Sequence, residues 1–225
     1  MIDLFTVFTN KETVVIINNE HKFNIGRGDS MVQMLKDDIA DKIYCSAIDE
    51  FYDSGYKSTT IRDIAKGAGV SVGLIYTYYE NKEALFEAVV KPTYLLIKSI
   101  LSTINNTGNP PFENFVLKKE MQFIVDLLRH KRKQVLILID KSSGTKYENA
   151  KEEIIDLTKV HIQKHLRKRI KNSSIIDDVF YHILANNFLE GVLEIARHYK
   201  NEEWANNMVE LLSKQYFYGI NFLVK

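Results

Sequence analysis

The stretch TTIRDIAKGAGVSVGLIYTYYENKE, residues 59–83, decides the fold. Thr60 can cap a helix, and Asp63 three residues on completes a capping-box-like pair with a shorter acid. Ile61, Ile64 and Ala65 give that short helix one inner face. Gly67 and Gly69 bracket a tight turn, Gly67-Ala-Gly-Val70. Ser71 caps a second short helix that reaches Tyr79. Asn81 caps another, opening Lys82-Glu-Ala-Leu-Phe86. Two short helices joined by a glycine-bearing turn make a helix-turn-helix. That geometry asks for small residues at Ala65 and Ala68, where the helices approach. It asks for Gly69 where the backbone turns left-handed, and for apolar Val70 and Ile75 to lock the second helix onto the first. One stretch meets every demand.

Working outward, Leu35, Ile39, Ile43, Ala47 and Phe51 recur at i, i+4 and form the stripe of a bracing helix from Val32 to Ser54. Gly55 is its stop. Cys45, the single cysteine, lies in this helix and reads as a small core side chain. One cysteine excludes an internal disulfide and fits a reducing compartment. Beyond Val90 the chain is a string of amphipathic segments. Helices are expected at 82–105 with a kink at Pro92, then at 112–131, 133–142, 148–171, 175–200 and 202–223. The fold class is therefore all-α: an N-terminal three-helix helix-turn-helix domain at 31–90 and a C-terminal helical domain at 91–225. Residues 1–30 stand apart as a peripheral extension, with a short strand at Thr13-Val-Val-Ile-Ile17 and turns at Asn18-Asn19 and Gly26-Arg-Gly-Asp29. Met31 and Met34 offer later starts.

The bulk numbers exclude other classes more than they select this one. Of 225 residues, 45% are apolar and 26% charged, and the net charge is +1, so composition announces no nucleic-acid partner. Residues 34–82 hold six Lys or Arg against eight Asp or Glu, so a DNA contact must rest on placed residues. No apolar run approaches the roughly 18 residues of a membrane span, and Met1-Ile-Asp-Leu-Phe5 lacks the basic start of a signal peptide. Both point to the cytoplasm. There is no GxSxG elbow, phosphate-binding glycine loop or HExxH, so no enzyme activity and no cofactor are expected.

Thr59-Thr-Ile-Arg-Asp-Ile-Ala65, Ala68-Gly-Val-Ser71, Gly73-Leu-Ile-Tyr76, Tyr78-Tyr-Glu-Asn-Lys-Glu83 and Leu85-Phe86 closely resemble the signature of TetR-family regulators. The resemblance covers about 50 residues, a quarter of the chain. It implies a homodimer that places the second short helix of each subunit in a major groove of a near-palindromic operator. It further implies a C-terminal domain that dimerises through its last two long helices and encloses a small-molecule effector. On this reading helix 71–79 is the recognition helix, with Ser71, Val72, Gly73 and Thr77 facing base edges. Val72 and Leu74 offer only apolar contacts, which gives Arg62 the larger role in reading a base. Thr60, Tyr76, Tyr78 and Lys82 are the phosphate contacts, Lys82 at a helix start where N–H groups also favour an anion. Tyr79 fills an aromatic core position. Repression relieved by an effector is the implied function. The alternative is a DNA-bound structural or partner-binding protein of the same fold without a ligand.

In the C-terminal segments, Val179, Ile183, Leu184, Phe188, Gly191, Val192 and Ile195 mark one apolar face, and Trp204, Met208, Leu211, Leu212, Phe217 and Ile220 another. Two such helices suit a four-helix dimer interface. Gly191 and Ala185 permit close helix approach. His161 and His165 share a chelating spacing, but no third ligand accompanies them, so no metal is expected. With His182 and Asn186 they are the polar candidates for an effector pocket; Tyr94, Met121 and Phe123 are the apolar ones. The basic run Lys164–Lys171 closes a helix, where cations suit the dipole.

Overall fold

The computed structural model describes residues 30–106, 114–167 and 176–223. Its elements are α1 (Ser30–Ser58), α2 (Ile61–Ala68), α3 (Val72–Tyr78), α4 (Lys82–Asn106), α5 (Asn114–Asp140), α6 (Ala150–Arg167), α7 (Asp178–Arg197) and α8 (Glu202–Leu223). The expected strand at 13–17, the breaks at 107–111 and 171–174, and the end of the basic run beyond Arg167 lie outside the described residues. So do the side chains of Leu35, His165, Phe217 and Ile220. Contacts divide the chain into Met1–Ile39 and Ala40–Lys225. Of the first unit only the opening turns of α1 are described; the second holds everything that follows.

Within the second unit, Ile43, Ala47 and Phe51 are fully buried on α1, one stripe at i, i+4. Cys45 sits off that stripe and is exposed, which corrects the expectation of a core thiol. It lies two residues from Ile43, about 200° around the helix, so it faces away. Gly55 breaks α1 with φ 75° and ψ 167°, a backbone that side chains resist. The break lets Tyr56 N–H reach the carbonyl of Lys141 at 3.0 Å. Phe51 and Tyr56 both meet Phe86 of α4 edge to face, each with centroids 5.0 Å apart. Tyr147, after α5, closes this aromatic cluster 6.5 Å from Phe86.

The long helices follow the expected segments. Segments 112–131 and 133–142 meet where expected, at a kink inside α5 where Lys131 leaves helical geometry (φ −132°, ψ 17°); no glycine or proline stands there. α4 covers its expected span and continues through Pro92; proline deletes one i→i−4 bond and the flanking turns hold. α4 packs on α5 and α6, α6 on α7, and α8 on α5 and α7. Ile155, Ile162, Leu166, Tyr181 and Ala185 form the α6–α7 core. At the α7–α8 contact a Cβ on Gly191 would lie 2.7 Å from Leu212 Cδ1, so the helices meet there because glycine leaves room.

The inner face of α8 differs from the large residues picked from its sequence. Ala205, Val209 and Ser213 are the buried ones. Leu211 is 58% exposed, as are Val179 at 62% and Ile183 at 44% on α7. Val179, Ile183 and Leu211 are therefore only partly used within the chain.

Candidate nucleic-acid interface

The helix-turn-helix is held by caps and one close approach. Thr60 has extended backbone, and both halves of its capping box with Asp63 are made. Asp63 N–H donates to Thr60 Oγ1 at 3.2 Å, and Thr60 N–H donates to Asp63 Oδ2 at 3.0 Å. Each cap of this kind contributes about 1 kcal/mol. Gly69 ends α2 at φ 67°, the left-handed turn expected there. Ser71 accepts from Leu74 N–H at 3.2 Å, and Asn81 accepts from Ala84 N–H at 2.8 Å. α2 also approaches α1 closely at Gly67, while Ala65 is buried and Ala68 half-buried. A Cβ on Gly67 would run into Ser46 Oγ of α1, and that hydroxyl donates to Ile64 O at 2.9 Å. The hydroxyl thus pins α2 to α1 across a gap that only glycine leaves open. Ile75 is fully buried and Ala65 nearly so, so α3 is anchored by one side chain.

With Ile75 turned inward, the rest of α3 is presented outward. Ser71, Gly73, Tyr76 and Thr77 are exposed, and Val72, Leu74 and Tyr78 are half-exposed. A Cβ on Gly73 would meet nothing within 4 Å, so the backbone there is open to close approach. Arg62 is exposed near the start of α2, with no carboxylate partner among the described residues. Tyr76 is 52% exposed. Tyr79 is half-buried, and burial, then the neighbouring Tyr44 and Asp41, pushes its phenol up; it is a packing residue.

Three candidates are committed elsewhere in this conformation. The Thr60 hydroxyl donates to Asp63 Oδ2 at 2.6 Å, and that hydroxyl, then the Thr60 N–H, holds the Asp63 carboxylate below its usual range. The Thr77 hydroxyl donates to Leu74 O at 2.7 Å. Lys82 turns its ammonium to the end of α1, donating to Tyr56 O at 2.8 Å and Thr59 O at 3.0 Å. It also rests 4.3 Å above the Tyr56 ring. An ammonium has three donors, so one N–H of Lys82 remains for a phosphate. The sequence did not disclose this inward role, because the carbonyls lie 23 and 26 residues away.

Residues 43–89 match the model for bacterial regulatory proteins of the tetR family. This is a TetR-family helix-turn-helix. Over 102 residues the chain is 29% identical to the HTH-type transcriptional repressor KstR2 of Mycolicibacterium smegmatis, covering 45% of this chain and 49% of that protein. Over 69 residues it is 32% identical to IcaR of Staphylococcus aureus, a negative regulator of the biofilm operon icaADBC, covering 31% of this chain and 37% of that protein. The matched stretch thus spans about half the length of these curated relatives, or less. A TetR-family regulator from Bordetella parapertussis shares the fold more widely: TM-score 0.61 at 19% identity, covering 79% of this chain and 93% of that one.

Outside the TetR motif the pocket candidates are dispersed. Tyr94 is bound to Glu153 of α6, and Lys98 bridges both, 2.9 Å from Tyr94 Oη and 3.0 Å from Glu153 Oε2. The Tyr94 hydroxyl, then Lys98, keeps the Glu153 carboxylate below its usual range. Tyr94 thereby ties α4 to α6. Met121 and Phe123 on α5, His161 on α6, and His182 and Asn186 on α7 are half-buried. A groove of about 260 Å³ lies elsewhere, lined by Ile48, Leu128, Arg129, His130, Arg132, Lys133, Gln134 and Tyr199. None of those residues is legible from periodicity as a site, since they come from α1, α5 and the segment after α7. Among the described residues, no helix is long and apolar enough to cross a membrane.

Proposed function

We propose that the chain is a sequence-specific, DNA-binding transcriptional repressor that acts as a homodimer in the cytoplasm and is released by a small-molecule effector. The observation that carries this reading is α3: capped by Ser71, anchored by Ile75 alone, and otherwise turned outward with open space at Gly73. A helix presented in this way fits a major groove. Arg62 and Ser71 are the readers of base edges, with Val72, Gly73 and Thr77 beside them. Tyr76 and Tyr78 hold phosphates. Lys82 adds one N–H while bracing α1, and Thr60 contacts a phosphate only if its hydroxyl leaves Asp63.

Val179, Ile183 and Leu211 support the homodimer, since exposed leucine-sized side chains on two adjacent helices suit a second copy of the same pair. The effector is proposed from the family resemblance, with Tyr94, Met121, Phe123, His161, His165, His182 and Asn186 as its candidate contacts. We propose the domain boundaries 1–30, 31–90 and 91–225.

A footprint and gel shift on the DNA flanking the gene test the proposal. Protection of a near-palindromic site, weakened by Arg62→Gln and Tyr76→Phe, is expected. No sequence preference over random duplex at moderate salt would overturn it.

A further inference from the structure

The groove beside the Lys131 kink holds more cation than its acids balance. Arg129 pairs with Glu202 at 3.0 Å, and Lys133 with Asp49 at 2.6 Å. Arg132 has no carboxylate partner among the described residues. Its Nη1 donates to Ala196 O at 3.2 Å and reaches Tyr52 Oη at 3.4 Å. Its guanidinium carbon lies 5.7 Å from the Tyr52 ring and 5.6 Å from the Tyr199 ring. Two aromatic faces hold the plane of the guanidinium, and neutral acceptors take only part of a five-donor fork. Those two bonds use Nη1 alone, and Arg132 lines a groove of about 260 Å³ together with the apolar Ile48 and Leu128. A fixed, uncompensated guanidinium with spare donors fits an anion that accepts two parallel hydrogen bonds.

We propose that this groove binds a small anion through a carboxylate or phosphate group held by Arg132. The occupant would sit among α5, Tyr199 after α7 and Ile48 of α1. α1 carries Ser46, the pin of α2. Occupancy is therefore positioned to alter how the helix-turn-helix is held, a regulatory consequence that rests on the DNA-binding reading.

Calorimetric titration of the full chain with sodium phosphate, and separately with sodium butyrate, at ionic strength matched by chloride, tests the site. Saturable binding of one anion per chain is expected for at least one of the two. Phosphate alone would assign a phosphate-bearing ligand, butyrate alone a carboxylate, and each supports the site. Arg132→Gln should weaken binding by roughly tenfold to a hundredfold, the loss of charge-assisted hydrogen bonds. Arg132→Lys, which keeps the charge without the fork, should weaken it less, and serves if the glutamine variant misfolds by circular dichroism. Arg62→Gln, on the DNA face, should leave it unchanged. Absence of saturable binding up to about 10 mM, equal binding by folded Arg132→Gln, or loss in Arg62→Gln instead, overturns the proposal. A gel shift on the same samples reports DNA binding separately, so failure there bears on the regulator reading and not on the anion site.

Discussion

The helix-turn-helix and the α7–α8 pair solve one packing problem in opposite ways. Each brings two helices together over a glycine. In the first, Gly67 faces a serine hydroxyl already committed to Ile64 O. In the second, Gly191 faces the methyl ends of Leu212. One contact is a directed hydrogen bond with a single geometry; the other is a soft apolar contact that can repack. The N-terminal motif is thereby fixed in shape and presents its polar residues outward. The C-terminal pair keeps large apolar side chains at its surface and leaves its geometry open to a partner.

The largest break in that comparison should come from Phe51→Ala. Phe51 is fully buried against Phe86 and Tyr56, and its loss should cost about 3–5 kcal/mol of unfolding free energy. Denaturant melts should show this together with loss of DNA binding.

The glycines give the sharper test. Alanine favours a helix interior by about 1 kcal/mol, yet Gly67→Ala must displace Ser46 Oγ, so a net loss of about 1–2 kcal/mol is expected. Gly191→Ala should stay within about 0.5 kcal/mol of the parent, since a leucine rotamer can give way. Equal effects in paired melts would show that the two glycine contacts do not differ.

A smaller effect is confined to alkaline pH. Burial, then the charge of Glu87, pushes the Tyr147 phenol up to about 12 from 10.0. A raised folded value gives stability that is complete below pH 10 and lost as the pH rises toward about 12. The midpoint of thermal unfolding should therefore fall over that window, and Tyr147→Phe should flatten the fall. Arg62→Gln should have the least effect on stability, within about 0.5 kcal/mol, while weakening specific DNA binding by about 1–3 kcal/mol in a gel shift.

The same contrast explains what could be read from the sequence. Thr60, Asp63, Gly69, Ser71 and Asn81 act on backbone groups a few residues away, so the motif and its caps are written locally. Helix spans in the C-terminal part follow from periodicity alone, and the Lys131 kink stands where two segments were expected to meet. Periodicity says which face of α8 is apolar, but not that the small Ala205, Val209 and Ser213 face inward while Leu211 stays out. Lys82 was legible as a cation at a helix start, and its inward donors were not, because their acceptors belong to the end of α1. The groove around Arg132 needed three elements to meet and left no mark in any one of them.

The break at Gly55 has a consequence for exchange with solvent. The amide of Tyr56, in a segment that reads as a turn, donates to Lys141 O at the end of α5. Its release requires α1 and α5 to part, not a loop to fray. In hydrogen-exchange terms that single amide should behave like a core helix proton, reporting on the opening of the whole unit. It would serve as a built-in gauge of whether the helix-turn-helix and the C-terminal helices come apart in one step or two.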